Sequence, residues 1–226
     1  MKKIILIFLF IAFSGWSQKK YTFDNSLNFK VTNFKDSVTV DDKVYLINSK
    51  DNSYFATVTK LDNLNSLINF IDYKNGVHFK IKLLKSDFIT VTNINLDCSM
   101  VYHYENPFKY KIKYYDFSSL QDTLINNVKF KSYKYTSINK KRAYRKKFGT
   151  LIYVVDTSFS YRPLLSFVTA YEDWNVNPKL PVGLLKELHF YNYLNKLESS
   201  ENLLNFENIQ INFIIPRECN PALVKL

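Results

Sequence analysis

The sequence predicts a mainly β protein: an antiparallel, strongly curved sheet, folded as a sandwich or a half-barrel, with one or two short helices. Three observations lead to this prediction. Apolar and polar residues alternate over roughly ten segments, which is the period of strands that bury one face and expose the other. The segments are rich in the β-branched and aromatic residues that favour strands, and the chain holds 17 Tyr and 19 Phe. Turn-forming polar residues separate the segments at hairpin-like spacing.

The first half of the chain predicts one strand followed by two hairpins. Residues 26–34 alternate as a strand does, and residues 43–61 form two apolar runs around a polar turn. Residues 66–84 hold the second hairpin. Its Asn75-Gly76 pair predicts a type I′ turn, because both central residues of that turn need positive φ.

The alternation continues in five later segments, at 87–97, 108–117, 122–138, 149–159 and 208–216. Asn126-Asn127 separates two runs within the third of these segments, again as a turn pair. A short helix is predicted from Leu164 over the stretch LLSFVTAYEDWN, because Pro178 and Pro181 forbid its continuation.

The stretch LPVGLLKEL, residues 180–188, predicts a bend that starts a late strand. Pro181 cannot donate a hydrogen bond to a β ladder, and Gly183 permits a bend or close packing of the backbone. The three leucines that follow are expected to enter the core: Leu184, Leu185 and Leu188.

The N-terminus reads as a secretory signal. Lys2 and Lys3 precede an unbroken apolar run at residues 4–13, and small residues stand at −3 and −1 from Gln18. A membrane-spanning helix needs about 20 apolar residues, so this run is too short for an anchor. We therefore expect residues 1–17 to be a signal peptide and residues 18–226 a single β-rich domain. The protein is expected to be secreted or periplasmic, with no transmembrane segment after cleavage.

The charge balance is strongly positive. The chain carries 31 Lys and Arg against 20 Asp and Glu, a net charge of +11. Removal of Lys2 and Lys3 with the signal leaves 29 − 20 = +9. Such a balance favours anionic partners.

The sharpest local feature is NKKRAYRKKFG, residues 139–149, in which two aromatic residues, Tyr144 and Phe148, are interleaved with six cations: Lys140, Lys141, Arg142, Arg145, Lys146 and Lys147. One interpretation is an anion-binding patch, in which the cations hold phosphate and the aromatic rings stack or insert. For an exported protein the expected partner is an anionic lipid, lipopolysaccharide or acidic glycan rather than nucleic acid. The alternative is a solvated loop between two strands.

Several kinds of catalytic or cofactor site are not predicted. Residues 18–226 contain only three glycines, so a glycine-rich nucleotide loop is excluded. The motifs G-x-S-x-G, H-E-x-x-H and C-x-x-C are absent, and the three histidines are far apart in the chain. No cofactor and no metal site is therefore expected.

Four polar residues are candidates for catalytic or metal-binding chemistry: His103, Glu105, Glu172 and Asp173. His103 and Glu105 share a face if they lie on a strand. Glu172 and Asp173 are adjacent, so they diverge on any regular element, and solvated charges are the simpler interpretation. Because no third group that could orient a Cys98–His103 pair is visible, the sequence predicts no catalytic residue.

Cys98 and Cys219 are the only two cysteines. In an oxidising compartment an even count predicts one disulfide, which would tie the C-terminal tail to the middle of the chain. The alternative is a pair of buried free thiols.

A family resemblance rests on the box Leu180-Pro181-Val182-Gly183-Leu184-Leu185. It follows an export signal, a β-rich body and the stretch DTLINNVKFKSYKY. In this order the chain resembles the GLPGLI family of exported Bacteroidetes proteins. The resemblance implies an exported β-rich protein and supplies no catalytic residues.

The sequence thus predicts an exported, non-catalytic binding, carrier or envelope-interaction module for an anionic or lipidic partner. The alternative is a hydrolase whose active site is built from distant segments. A groove flanked by residues 140–147 would favour the carrier. A large pocket that holds the four polar candidates named above would favour the enzyme.

Overall fold

The computed structural model describes residues 18–86 and 92–219. The predicted signal peptide at residues 1–17 lies outside the described residues. Residues 87–91 of the strand predicted at 87–97 also lie outside them. The strands of the N-terminal half are β1 Lys19–Asn33, β2 Thr39–Asn48, β3 Asp51–Lys60, β4 Asn65–Asp72, β5 Val77–Leu84, β6 Asn93–Asn95 and β7 Val101–His103. The C-terminal half contains β8 Tyr115–Ser119, β9 Thr123–Ile125, β10 Val128–Ser137, α1 Lys140–Lys146, β11 Thr150–Asp156, α2 Val168–Val176, β12 Leu184–Tyr191 and β13 Leu197–Ile215.

The strands form one open sheet in the order β7-β5-β4-β3-β2-β1-β13-β12-β11-β10-β8. All pairs in this order are antiparallel, β6 adds to β13 in parallel, and β9 adds to β10. The prediction of a mainly β, antiparallel fold with short helices is confirmed, and the sheet does not close into a barrel. Neither α1 nor α2 is long and apolar enough to cross a membrane, and the same holds for every helix within the described ranges.

The longest ladder pairs β1 with β13, from the Lys19↔Ile215 pair to the Asn33↔Ser199 pair. Two register shifts interrupt this ladder, one after Phe23 and one before Phe29 of β1. Such bulges bend a strand and increase its local twist. Accordingly, the first half of β1 contributes to one hydrophobic cluster and the second half to another.

The sheet buries side chains in two clusters. In β2, Tyr45 and Ile47 enter the first cluster while Leu46 between them enters the second, so both faces of this strand are buried. The first cluster lies beneath α2 and includes Tyr171 and Trp174 of that helix. The three leucines of the LPVGLLKEL stretch are buried in the first cluster as predicted: Leu184, Leu185 and Leu188.

The type I′ turn predicted at Asn75-Gly76 is wrong. The β4–β5 connection has four residues, 73–76, and only Gly76 has a positive φ, of 62°. A Cβ on Gly76 would lie 2.2 Å from the Tyr104 carbonyl oxygen, so close backbone approach explains this glycine. The two-residue turn with positive φ at both positions occurs instead at Asn126 and Asn127, with φ of 49° and 64°.

The strand predicted at 108–117 is also wrong in its first half. Residues 108–111 form a turn and a 3-10 helix spans Ile112–Tyr114, so β8 begins at Tyr115. The side-chain oxygen of Asn106 accepts a hydrogen bond from the Phe108 amide at 3.0 Å, which starts the turn. The helix predicted from Leu164 forms, but it begins four residues later, at Val168.

The Pro181-Val182-Gly183 bend has a structural role. A Cβ on Gly183 would lie 2.4 Å from Val155 Cγ1 and 2.6 Å from the Asp156 carbonyl oxygen. The Gly183 amide donates to the Tyr161 carbonyl at 2.7 Å. The glycine therefore permits close packing where β12 begins, beside the end of β11.

A disulfide joins Cys98 to Cys219, which confirms the predicted bridge. It closes a sequence separation of 121 residues and fixes the 3-10 helix Arg217–Cys219 beside the 3-10 helix Cys98–Met100. His103 Nε2 lies 2.9 Å from the Cys219 carbonyl oxygen, at hydrogen-bond distance. Because both sulfurs are bonded, a Cys98–His103 nucleophile pair is not available.

Removing this bridge is expected to destabilise the fold. In the Cys98→Ser/Cys219→Ser variant, the free energy of unfolding measured with urea is expected to fall by about 2–5 kcal/mol, because the unfolded chain is no longer constrained by the loop. Alkylation without reductant, followed by mass spectrometry, should find no free thiol in the wild type. Two alkylated cysteines would contradict the bridge.

Candidate functional site

An open groove of about 1010 Å³ lies on the C-terminal half of the sheet. Its floor is formed by β10, β11 and β12, one wall by α1, and the other wall by the turn between β12 and β13. The lining residues are Lys134, Thr136, Ser137, Lys140, Lys141, Ala143, Tyr144, Phe148, Thr150, Ile152, Tyr191, Asn192, Tyr193 and Asn195.

The floor is the sheet face turned away from the first hydrophobic cluster. Tyr135, Leu151 and Tyr153 point into that cluster, so their neighbours in sequence point to the opposite side. Across the strands, Lys134 pairs with Ile152 and Thr150 pairs with Tyr191. The Thr136 and Thr150 hydroxyls lie 2.8 Å apart and hydrogen-bond across the floor. The floor therefore combines hydroxyl, aromatic and aliphatic surface.

The α1 wall contains most of the basic segment. The segment forms a seven-residue helix rather than the loop considered above. The Asn139 side chain caps its N-terminus by accepting from the Arg142 amide at 2.9 Å, and Lys147 ends it with a left-handed backbone, φ 55°. This geometry places Lys140, Lys141 and Tyr144 along the groove.

The opposite wall is a tight turn built on Asn192. Its side-chain oxygen accepts from the amides of Leu194 and Lys196 at 2.9 and 3.0 Å. Tyr193 in this turn meets Tyr144 of α1 edge-on, with ring centroids 5.6 Å apart. The two tyrosines thus join the walls.

Gly149 allows α1 to sit this close to the sheet. A Cβ at this position would lie 2.3 Å from the Phe190 ring and 2.4 Å from the Tyr191 carbonyl oxygen. Since a backbone oxygen cannot move aside cheaply, any larger residue would displace the connection between α1 and β11. The groove therefore depends on this glycine.

The groove is positively charged and its charge is not neutralised. The lining contains three lysines and no Asp or Glu. In the part of the chain that the structure describes, none of the cations of 140–147 forms an ion pair with a carboxylate. Lys141 and Arg145 are four apart on α1, as are Arg142 and Lys146, and like charges at this spacing destabilise a helix by a few tenths of a kcal/mol per pair. An anion bound beside α1 would relieve this repulsion.

The predicted patch is divided by the structure. Lys140, Lys141 and Tyr144 line the groove, whereas the other four predicted residues do not: Arg142, Arg145, Lys146 and Lys147. The Arg142 guanidinium stacks on the Tyr114 ring, with its carbon 3.3 Å from the ring centroid.

Sequence reasoning missed the part of the groove formed by Lys134, Tyr191 and the turn residues Asn192, Tyr193 and Asn195. These residues lie far from α1 in sequence. Only the pairing of β10, β11 and β12 brings them beside it, and no local pattern encodes that pairing.

The four polar candidates for catalysis do not line this groove. His103 contacts the Cys219 carbonyl, and Glu172 accepts a hydrogen bond from the Asn106 side chain at 2.5 Å. Glu105 is exposed. Within residues 18–86 and 92–219, no group of three His, Cys, Asp or Glu could hold a metal ion.

Asp173 on α2 has an unusual environment. Its Oδ2 is buried and has no hydrogen-bond partner. Burial raises the pKa of this carboxyl to about 6, the nearby Asp116 charge adds to the rise, and Lys179 opposes it. Lys179 itself pairs with Asp116 at 2.5 Å. Asp173 therefore has a raised pKa, and it lies on the helix that covers the first cluster.

Comparison with known proteins gives no family assignment. No family model matches the chain, and no curated protein matches it. The resemblance to the GLPGLI family and to Bacteroidetes proteins therefore stays a prediction.

Solved structures show only a distant similarity. The MucA/MucB complex of Pseudomonas aeruginosa aligns with 83% of this chain and 52% of its own, at 6% identity and TM-score 0.43. A putative outer membrane lipoprotein-sorting protein domain from Vibrio parahaemolyticus aligns with 82% of this chain and 85% of its own, at 10% identity and TM-score 0.33. A LolA superfamily protein from Nitrosomonas europaea aligns with 82% of this chain and 85% of its own, at 10% identity and TM-score 0.27.

This chain spans about half the length of the MucB chains that it matches. TM-scores of this size do not establish a shared fold.

The Asp173→Asn variant is expected to be more stable than the wild type above pH 7 and equally stable below about pH 4. The folded-state pKa of Asp173 lies above the usual value of 3.8. Its contribution to stability is therefore present at low pH and is lost as the pH rises through about 6. Urea unfolding at both pH values measures this difference. A variant that is less stable than the wild type at pH 7.5 would contradict the assignment.

Proposed function

We propose that the protein is an exported, non-catalytic binding or carrier module whose groove holds the anionic headgroup of a lipidic partner. The observation that carries the proposal is the unneutralised lysine set that lines a groove with aromatic and aliphatic surface. Residues 1–17 are proposed to direct export, and residues 18–226 to act as one domain in the periplasm or outside the cell.

The cations support an anionic partner. Lys140 and Lys141 are exposed on α1, and Lys134 rises from the floor of the same groove. Lysine is a point-charge donor that suits phosphate as well as carboxylate. With no carboxylate in the lining, a bound anion would be attracted by the two lysines of the α1 wall and by Lys134 on the floor, with no acidic side chain to repel it.

The rest of the lining supports a lipidic partner rather than a bare ion. Ile152, Phe148 and Tyr191 offer apolar surface beside the lysines. Tyr144 and Tyr193 carry both a ring and a hydroxyl, as residues at membrane interfaces do. Ligand sites commonly combine an apolar lining with a few polar groups that fix orientation.

A direct test uses a short-chain phosphatidic acid below its critical micelle concentration. In titration calorimetry with the chain from Gln18 onward, which contains every described element of the fold, we expect saturable binding that weakens as salt is added. The Lys140→Gln/Lys141→Gln variant is expected to bind about tenfold more weakly, because two cation–anion contacts near the protein surface are lost.

The matched control is Lys146→Gln/Lys147→Gln, which removes the same charge from the same segment outside the groove lining. It is expected to bind the short-chain lipid nearly as well as the wild type. If both variants lost the same affinity for the short-chain lipid, the overall positive charge of the protein, rather than the groove, would be responsible for binding. Equally strong binding of short-chain phosphatidylcholine would contradict an anionic partner.

A further inference from the structure

A second basic segment lies beside α1 and outside the groove. The sequence of residues 108–115 is FKYKIKYY. Within residues 108–114, three lysines alternate with aromatic and aliphatic residues: Lys109, Lys111 and Lys113. The segment is compact, since the Lys111 amide donates to the Phe108 carbonyl at 2.8 Å and the Tyr114 amide to the Lys111 carbonyl at 3.1 Å. All three lysines are exposed.

Direct contacts join this segment to the start of α1. The Arg142 guanidinium lies over the Tyr114 ring at 3.3 Å, a cation–π stack. The Ile138 amide donates to the Tyr114 carbonyl at 3.0 Å, and Tyr115 pairs with Ser137 where β8 meets β10. Residues 108–114 and 138–147 thus form one continuous surface, here called the basic face.

The basic face has one sign of charge. It carries three lysines from the first segment and six cations from the second, nine in all, and neither segment contains Asp or Glu. The next carboxylate along the chain, Asp116, is paired with Lys179 at 2.5 Å. Outside the two segments, Glu172 of α2 lies close enough to Lys109 for the lysine charge to oppose the rise in the pKa of this carboxyl, and no acid within the segments offsets the other cations.

Large apolar side chains project among these cations. Tyr110 is 79% exposed, Ile138 is 65% exposed and Tyr144 is 64% exposed. Tyr110 stands four residues before Tyr114, so at most about 14 Å of chain separates it from the contact with α1. Exposed apolar residues surrounded by cations are typical of surfaces that insert into the headgroup region of a membrane.

We propose that the basic face docks on a lipid bilayer with anionic headgroups, with Tyr110, Ile138 and Tyr144 inserted between the headgroups. A soluble polyanion would need the cations but would gain little from an exposed isoleucine, so the apolar residues favour a bilayer. The proposal rests on the proposed function in one respect: α1 belongs both to the basic face and to the groove wall, so docking brings the groove to the bilayer.

Charge reversal at the three lysines of residues 108–114 tests whether the basic face docks on a bilayer. The Lys109→Glu/Lys111→Glu/Lys113→Glu variant is expected to lose more than about tenfold in affinity for vesicles that contain phosphatidylglycerol, because each lysine near an anionic surface adds to binding. Co-sedimentation of the chain from Gln18 onward with these vesicles measures the affinity. The wild type should not bind vesicles of pure phosphatidylcholine.

The matched control is Lys50→Glu/Lys74→Glu/Lys80→Glu, which changes the net charge equally at three exposed lysines of the other half of the sheet. This variant is expected to bind vesicles within about twofold of the wild type, because these three lysines lie outside the basic face. Equal loss in both triple variants would overturn the basic face as a docking surface.

The two proposals fail in different ways. The Lys109→Glu/Lys111→Glu/Lys113→Glu variant should bind short-chain phosphatidic acid monomers as the wild type does, because residues 108–114 do not line the groove. Loss of vesicle binding with intact monomer binding supports docking through the basic face. Monomer binding without any vesicle binding by the wild type overturns docking and leaves the groove function intact.

Insertion is tested at Tyr110. In Tyr110→Trp, tryptophan emission is expected to shift to the blue on addition of phosphatidylglycerol vesicles and to be quenched by brominated acyl chains. Leu64→Trp, at a position that is 71% exposed on the β3–β4 turn, should show neither change. The native Trp174 is buried and gives a constant background. A blue shift at Leu64→Trp alone, or quenching by a soluble acidic polysaccharide in place of vesicles, would overturn the insertion.

Discussion

The pairing of β1 with β13 is the constraint on which the rest of the structure depends. It connects fourteen residue pairs between the two ends of the chain, with β2 to β5 and β7 on one side of the seam and β8 to β12 on the other. A ladder between such distant segments orders both halves together. The Cys98–Cys219 bridge joins the chain just beyond the end of β13 to the segment after β6, so the end of β13 is held by the hydrogen bonds of the ladder and by a covalent bond.

The two halves of the sheet on either side of the seam differ in which of their faces are buried. In β2 and β3 both sheet faces are buried, because the first and second clusters lie on opposite sides. In β10, β11 and β12 the first cluster fills one face, and the other face remains open beside α1 as the floor of the groove. The groove on this open side is lined by three lysines and by no Asp or Glu. In this half, the face that packs on the first cluster and the face that forms the groove are therefore opposite faces of one sheet.

The alternation of apolar residues is sufficient to predict the fold class and most of the strands, and the Pro181–Gly183 bend predicts the burial of the leucines that follow it: Leu184, Leu185 and Leu188. It failed at 108–114, where the Asn106 side chain starts a turn that outweighs strand propensity. The basic segment was found because its charge is local in sequence. The sequence does not reveal that Lys134 and the Asn192–Asn195 turn belong to the groove, because only strand pairing brings them to α1. The tilt of α1 against the sheet depends on Gly149, whose role appears only when the Phe190 ring is placed beside it.

The proposed function requires an anion to enter the groove between α1 and the Asn192–Asn195 turn. The most direct measurement is a map of backbone amide chemical shifts by NMR, on isotope-labelled protein titrated with a short-chain phosphatidic acid below its critical micelle concentration. The proposed function predicts that the largest shifts fall on α1, on residues 134–137 and on residues 191–195. Shifts concentrated on α2 and the first hydrophobic cluster, or no saturable shift at all, would contradict it.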